Sequence, residues 1–171
     1  PQVTFSERLV LEDEGIVFRH APGHTRDSAV CADRPGRVLF LGDLVEDPIP
    51  YLDDGDLDRY LATLEAILTD EAEILLTAHS GVAGRDLVAR NIAYITAVRN
   101  GEKIDPGVFG AYARVNRWNM NQRIFIRYAS LIRDRAGDQY SLTGLLDLAG
   151  DLHEADPDDL GHRLADHLSR G

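Results

Sequence analysis

The sequence predicts a mixed α/β (α+β) protein with two domains. The first domain is half of an αββα sandwich, and the second is helical. Two observations support this fold class. Short apolar runs typical of strands dominate residues 1–103, with only two amphipathic helical segments among them. After Pro106-Gly107 the apolar residues recur only at helical spacing. We therefore predict a sandwich-like domain at 1–103 and a helical extension at 104–171, acting as a cap or a subunit contact.

The first four predicted strands form two hairpins. Alternating or continuous apolar residues are separated by the turn sequences Glu-Asp-Glu-Gly and Asp-Arg-Pro-Gly, which strongly favour chain reversal. The strands are Val3–Leu11, Ile16–His20, Ser28–Ala32 and Arg37–Leu41.

A helix, a strand and a second helix follow. The apolar residues between Leu57 and Leu68 have a helical period, and the aspartates before them suit a helix N-terminus. Glu73–Ala78 reads as a buried strand, and Arg85–Asn100 as a helix that ends at Gly101. This order of elements is the one expected for half of an αββα sandwich.

The extension is predicted to be entirely helical. Residues 108–135 carry one or two amphipathic helices, with Asn119–Asn121 as a candidate break. Two shorter helices are predicted at Leu142–His153 and Pro157–Ser169.

Composition narrows the function classes. The 171-residue chain has a formal net charge of −11, which argues against a nucleic-acid partner because such binding depends on basic surfaces. The arginines at 114, 117, 123 and 127 are better explained as a solvated helix face. The sequence has neither a membrane span nor a signal pattern, and one cysteine excludes an internal disulfide. A cytoplasmic location is therefore expected.

Three short motifs carry the chemistry. They are Pro-Gly-His-Thr at 22–25, Leu-Gly-Asp at 41–43 and Thr-Ala-His-Ser-Gly at 77–81. Each places a metal-binding side chain, namely His24, Asp43 or His79, just after a predicted strand, where sites form in α/β proteins. Two imidazoles and a carboxylate suit zinc or another borderline divalent ion.

In wording, order and spacing these motifs resemble the C-terminal half of a metallo-β-lactamase-superfamily hydrolase. The resemblance covers about residues 3–101. It implies that His24 binds a first metal, that Asp43 bridges two metals and that His79 binds the second. It also implies one or two zinc ions, with iron or manganese as alternatives. The function it implies is metal-dependent hydrolysis of a small ester, thioester, lactone or β-lactam.

The family's His-x-His-x-Asp-His signature, which supplies the other ligands, does not occur in this sequence. The expected partner is therefore the missing N-terminal half, or a second copy of the chain. Without one of these, a site of so few ligands should hold metal weakly. The alternative function is a non-catalytic binding or oligomerisation module derived from the same fold.

Residues beside the three motifs are secondary candidates. Thr25, Ser28 and Ser80 could orient the metal ligands through hydrogen bonds, or could serve only their local turns. Ile49, Pro50 and Tyr51 follow Asp43 closely, and are candidates for a wall that faces the substrate.

The other histidines and the cysteine carry less weight. His20 is expected on the strand surface, although it could line the same cleft. Cys31 is expected to be buried and inert. The three histidines of the extension do not share a ligand face and are expected at the surface; they are His153, His162 and His167.

Overall fold

The computed structural model describes residues 3–170, apart from the side chains of Pro106 and Asp138. The chain divides into two compact units between Glu102 and Lys103. We call the part up to Glu102 the sheet unit and the part from Lys103 the helical unit.

The sheet unit is built on one six-stranded sheet whose strands lie in chain order. Neighbouring strands are antiparallel except β4 and β5, which are parallel and joined through a helix. The strands are β1 (Arg8–Leu11), β2 (Ile16–His20), β3 (Ala29–Asp33), β4 (Val38–Gly42), β5 (Ile74–Thr77) and β6 (Gly81–Ala83).

Two details differ from the sequence-based expectation. The first strand was predicted to begin at Val3, but the ladder begins at Arg8, which pairs with Arg19. Because β2 ends at His20, little of its edge remains for residues 3–6 to pair with. The three-residue strand β6 is absent from the sequence-based prediction, since so short a segment shows no clear alternation of apolar and polar residues.

Two helices cover one face of the sheet. They are α1 (Leu57–Leu68), which Asp56 caps by accepting from the Arg59 N–H, and α2 (Arg85–Asn100). α2 ends at Gly101, which has the left-handed backbone conformation (φ 70°) that the sequence predicts for a C-terminal glycine. Alternate strand residues such as Leu39, Leu41 and Leu75 are at most 3% exposed beneath the helices. The predicted α/β class is confirmed.

The opposite face of the sheet is apolar and exposed. Register pairs place Leu11 in line with Ile74, and Phe40 in line with Val82, on this face. These four side chains are between 39% and 73% exposed. We call this surface the open face.

The helical unit contains α3 (Ala113–Ala136), α4 (Leu142–Ala149) and α5 (Pro157–Arg170), with short 3₁₀ turns before and after α3. α3 is a single helix, so the candidate break at Asn119–Asn121 does not occur. Asn121 instead donates to the carbonyls of Leu152 and Ala155, at 2.8 and 2.7 Å. The core of the unit is formed by Phe125, Ala129, Ile132, Leu145, Ala149, Leu152, Leu160 and Leu164.

Within the described residues 3–170, no helix combines the length and the apolar character needed to cross a membrane.

Candidate metal centre

Asp43 and His79 are brought together by the two parallel strands. Because β4 and β5 run in the same direction, they end at the same edge of the sheet, where Gly42 is in register with Thr77. The Ala78 N–H donates to the Gly42 carbonyl at 3.0 Å and joins the two strand ends. As a result, Nε2 of His79 lies 3.1 Å from Oδ1 of Asp43.

Glu46 completes a cluster with these two side chains. One potential ligand atom from each of Asp43, Glu46 and His79 lies within 4.8 Å of the other two. Glu46 could not be identified from the sequence, because an acidic residue three positions after the motif aspartate has no distinctive pattern. The loop after β4, rather than a strand end, positions it.

The donor set fits a divalent metal ion. Oδ1 of Asp43 is buried, and no donor among the described residues forms a hydrogen bond with it, despite the short distance to His79. Two ligands of one tetrahedral zinc ion, each about 2.0–2.2 Å from it, lie roughly 3.4 Å apart. The 3.1 Å between the Asp43 carboxylate oxygen and the His79 imidazole nitrogen, which form no hydrogen bond, is close to this separation.

Asn91 on α2 holds the backbone of Glu46. Its Oδ1 accepts from the Glu46 N–H at 3.0 Å, and its Nδ2 donates to the Glu46 carbonyl at 2.9 Å. Nδ2 also lies 3.4 Å from the carbonyl of Pro48, which follows a cis peptide bond. Asn91 is fully buried. The loop is thus pinned to a rigid helix by a side chain that the sequence pattern did not single out.

Burial raises the pKa of the Glu46 carboxyl. The imidazoles of His24 and His79 act in the opposite direction, while the carboxylates of Asp43 and Asp53 raise the pKa further. These interactions place both motif histidines and Asp43 within electrostatic reach of Glu46. A residue from each of the three motifs therefore lies near this one carboxyl group.

His24 lies in the loop between β2 and β3. Its Nδ1 lies 3.3 Å from the Tyr51 carbonyl, and its Nε2 lies 3.8 Å from Oδ2 of Asp53. Since a carbonyl can only accept, the Tyr51 contact assigns a proton to Nδ1. In the neutral ring, Nε2 then carries the lone pair that a metal needs.

The Pro-Gly-His turn packs on the ring of Tyr60. A Cβ on Gly23 would overlap that ring, with Cε2 only 2.8 Å away. Tyr60 is fully buried, and its hydroxyl donates to the Leu44 carbonyl at 2.8 Å. Burial, together with the nearby carboxylates of Glu46, Asp43 and Asp53, raises the pKa of its phenol well above 10. Tyr60 thus supports both the His24 turn and the loop after Asp43.

Replacing Gly23 with alanine should destabilise the sheet unit by about 1–3 kcal/mol, because the added methyl group overpacks a buried ring that has no room to move. Urea unfolding followed by circular dichroism measures this. Gly161→Ala is the matched control. Gly161 lies in helix α5, and a Cβ added there would meet no other atom within 4 Å. The control should stabilise the helical unit by about 0.5–1 kcal/mol. Equal effects of the two changes would contradict the packing argument.

Replacing Asn91 with aspartate should lower the free energy of unfolding by about 2–4 kcal/mol, since a carboxylate oxygen would then face the carbonyls of Glu46 and Pro48. Zinc affinity should fall by about tenfold as Glu46 loses its support. Asn100→Asp, at an exposed site on the same helix, should change neither quantity appreciably. Calorimetric titration measures the zinc affinity, and thermal melts measure the stability. An unchanged zinc affinity in the Asn91 variant would show that the position of Glu46 does not matter for metal binding.

The secondary candidates make mostly local contacts. The Thr25 N–H donates to Oγ of Ser28 at 3.0 Å, and the two hydroxyls lie 2.9 Å apart within the same turn. Ser80 accepts from the Asp47 N–H at 3.1 Å, which ties the loop after Asp43 to the segment that carries His79. In the structure Ser80 therefore joins two parts of the site, while Thr25 and Ser28 bond to each other.

The candidate substrate wall is only partly at the surface. Ile49 is 2% exposed and Pro50 is buried, so both side chains belong to the core beneath the loop. Tyr51 is half-buried, and of these three residues only its side chain has appreciable surface. The apolar character of Ile49 and Pro50 thus reflects their packing under the loop.

Among the described residues, the remaining candidates are not members of the Asp43 cluster. His20 contacts the Arg26 carbonyl at 2.7 Å and is not part of the Asp43 cluster. Cys31 is half-buried on the open face, where burial, reinforced by Asp33, raises the pKa of its thiol. His153 is half-buried and stacks on Trp118 at 4.6 Å, whereas His162 and His167 are exposed as expected.

Comparison with known proteins agrees with the motifs. Residues 3–79 match the family model of the metallo-β-lactamase superfamily, and this segment contains His24, Asp43 and His79. No curated protein gives a significant match to the chain.

Solved structures of the same superfamily are similar to part of the chain. TMB-1 is 15% identical, with 57% of this chain and 48% of TMB-1 covered, at a TM-score of 0.49. A metallo-β-lactamase from Hirschia baltica is 21% identical, with coverages of 55% and 45% and a TM-score of 0.42. An archaeal superfamily protein from Sulfolobus tokodaii is 20% identical, with coverages of 58% and 39% and a TM-score of 0.40.

The chain spans less than half the length of each of these structures. The resemblance seen in the sequence is confirmed by the family model over the segment that carries His24, Asp43 and His79. Residues 3–79, in which Asp43 and His79 follow two parallel strands, thus match part of the metallo-β-lactamase superfamily.

Proposed function

We propose that the sheet unit is the metal-binding half of a metal-dependent hydrolase, and that Asp43, Glu46 and His79 bind zinc with His24 at the edge of the site. The buried Oδ1 of Asp43, 3.1 Å from Nε2 of His79 and without a hydrogen-bond donor among residues 3–170, is the observation that supports it most strongly. Buried polar atoms normally have a partner, and here a cation supplies one.

A zinc ion held by Asp43, Glu46 and His79 would lower the pKa of a coordinated water and so supply hydroxide near neutral pH. The protein side chains do the rest. Asp43 and Glu46 provide anionic oxygens, and His79 a neutral nitrogen. Asn91 fixes Glu46, and the Tyr51 carbonyl sets the tautomer of His24. The proposed substrate is a small ester, thioester, lactone or β-lactam.

We further propose that the open face is covered by the complementary N-terminal half of the domain. Leu11, Phe40, Ile74 and Val82 expose apolar surface on one side of the sheet, which a soluble protein normally buries against another layer. That half carries the His-x-His-x-Asp-His ligands which the 171 residues lack. A second copy of the chain is the alternative occupant of the same face.

Native mass spectrometry of the gently purified protein tests this function, because one spectrum reports both the chains present and the bound metal. We expect zinc to bind after addition of equimolar zinc chloride, and a second polypeptide in preparations from the natural source. His79→Ala should lose the zinc mass, whereas His167→Ala, at an exposed site far along the chain, should keep it. A single chain that takes up no zinc would indicate a non-catalytic module.

A further inference from the structure

A cleft lies at the end of the sheet unit opposite to the metal centre. It has a volume of about 820 Å³ and is lined by residues at the start of β4, by the β3–β4 turn and by the segment after α1. Since Asp43 and His79 follow the carboxyl ends of β4 and β5, this cleft is separate from the metal centre. Four arginines line it, although the chain as a whole is strongly acidic; they are Arg8, Arg19, Arg34 and Arg37.

Two of these arginines are in direct register. Arg8 on the edge strand β1 pairs with Arg19 on β2, so both side chains project from the same face of the sheet into the cleft. Like charges directly opposite each other destabilise a sheet. Arg8 forms no hydrogen bond or ion pair with residues 3–170 that would offset this repulsion.

Arg19 is only partly satisfied. Its Nη2 donates to Oδ2 of Asp70 at 2.6 Å, but its Nε is buried and lacks a hydrogen-bond acceptor within the described part of the chain. A buried N–H without an acceptor is unfavourable, especially on a charged group. The unsatisfied donor and the unpaired charge of Arg8 thus lie on adjacent strands of one cleft.

The other charged groups of the cleft are largely engaged. Asp33 accepts from the Gly36 N–H at 3.0 Å, and Asp70 also accepts from the Ala72 N–H at 2.9 Å. Arg37 pairs with Glu73 at 2.7 Å, outside the lining, and Arg34 lies 3.8 Å from Glu12. Glu71 is exposed at the rim. Among the described residues, the positive charge of the cleft that is least compensated is therefore that of Arg8 and of its neighbour Arg19.

We propose that this cleft binds a small organic anion, whose carboxylate or phosphate lies between Arg8 and Arg19. An oxyanion there would relieve the repulsion between the two guanidinium groups and would accept from their exposed Nη–H groups. Arginine is suited to such oxyanions because its planar donors match their geometry. The apolar part of the ligand would lie on Val17, Ala32 and Ala66, which also line the cleft.

The test is a titration of the full 171-residue chain in metal-free, low-salt buffer with inorganic phosphate or with hexanoate, followed by NMR of the arginine Nε–H groups. We expect saturable shifts at Arg8 and Arg19. Saturation by phosphate identifies a phosphoryl ligand, and saturation by hexanoate, with acetate much weaker, identifies a carboxylate on an apolar body.

Arg8→Gln should weaken the affinity by about tenfold or more, because it removes a charge-assisted hydrogen bond. The Arg8 side chain is exposed and forms no hydrogen bond or ion pair with the described residues, so this variant should keep the fold, which the same spectra verify. Arg133→Gln, at an exposed arginine in the helical unit, is the matched control and should bind like the wild type. Non-saturating shifts, or equal affinities of the wild type and Arg8→Gln, would overturn the proposal.

Discussion

Asp43→Asn should lower the zinc affinity of the chain by at least about tenfold, which is the largest functional effect expected from a single substitution. The amide keeps the shape of the side chain but removes the charge, and a neutral amide oxygen is a poor zinc ligand. Even the loss of a group that only supports a ligand typically costs 10–100-fold in metal affinity, so loss of a ligand should cost no less. Competition with a chromophoric zinc chelator measures the affinity.

Asp58→Asn is the matched control for this substitution. Asp58 is an exposed residue of the same unit that pairs with Arg99 at 2.9 Å, on the first turn of α1. Its variant should bind zinc like the wild type. Glu46→Gln should weaken binding more than Asp58→Asn, since its carboxylate belongs to the cluster. If Asp43→Asn and Asp58→Asn had the same affinity, zinc would be bound elsewhere on the chain.

Arg85→Met should lower the free energy of unfolding of the sheet unit by about 2–4 kcal/mol, the largest stability effect expected from an exchange of one charged residue. Its guanidinium donates to four carbonyls, at distances between 2.6 and 3.2 Å. These carbonyls belong to the last turn of α1 and to the segment before β5, and are those of Ile67, Leu68, Asp70 and Ala72. Methionine keeps much of the apolar stem but leaves all four acceptors without this donor.

Urea unfolding compares Arg85→Met with Arg99→Met. Arg99 lies on the same helix and forms one ion pair with Asp58 at a largely exposed site, so its loss should cost well under 1 kcal/mol. The helix dipole does not account for the difference, because Arg85 places a cation at the C-terminus of α1 and Arg99 lies in the last turn of α2. A similar loss in both variants would contradict the role assigned to Arg85.

The sequence predicts the positions of Asp43 and His79 well, because their motifs directly follow apolar runs that became β4 and β5. Parallel pairing through α1 then brings the two side chains to one edge. Glu46 and Asn91 could not be predicted in this way. Their roles depend on a loop folding back against α2, a contact between residues 45 positions apart that leaves no local periodicity.

The burial of individual side chains is a second feature that the sequence predicts only in part. Ile49 and Pro50 are predicted to form a substrate-facing wall because their loop directly follows Asp43, but both side chains are buried beneath that loop. Conversely, Arg8 and Arg19 look like ordinary polar positions of alternating strands. Only the register of β1 and β2 shows that the two charges lie side by side.

The most direct test of the metal centre is a crystal structure of the chain grown with zinc, with anomalous differences measured at the zinc absorption edge. We expect an anomalous peak about 2.0–2.2 Å from Oδ1 of Asp43 and from Nε2 of His79, with a carboxylate oxygen of Glu46 beside it. A peak elsewhere, or none at this cluster under saturating zinc, would contradict it.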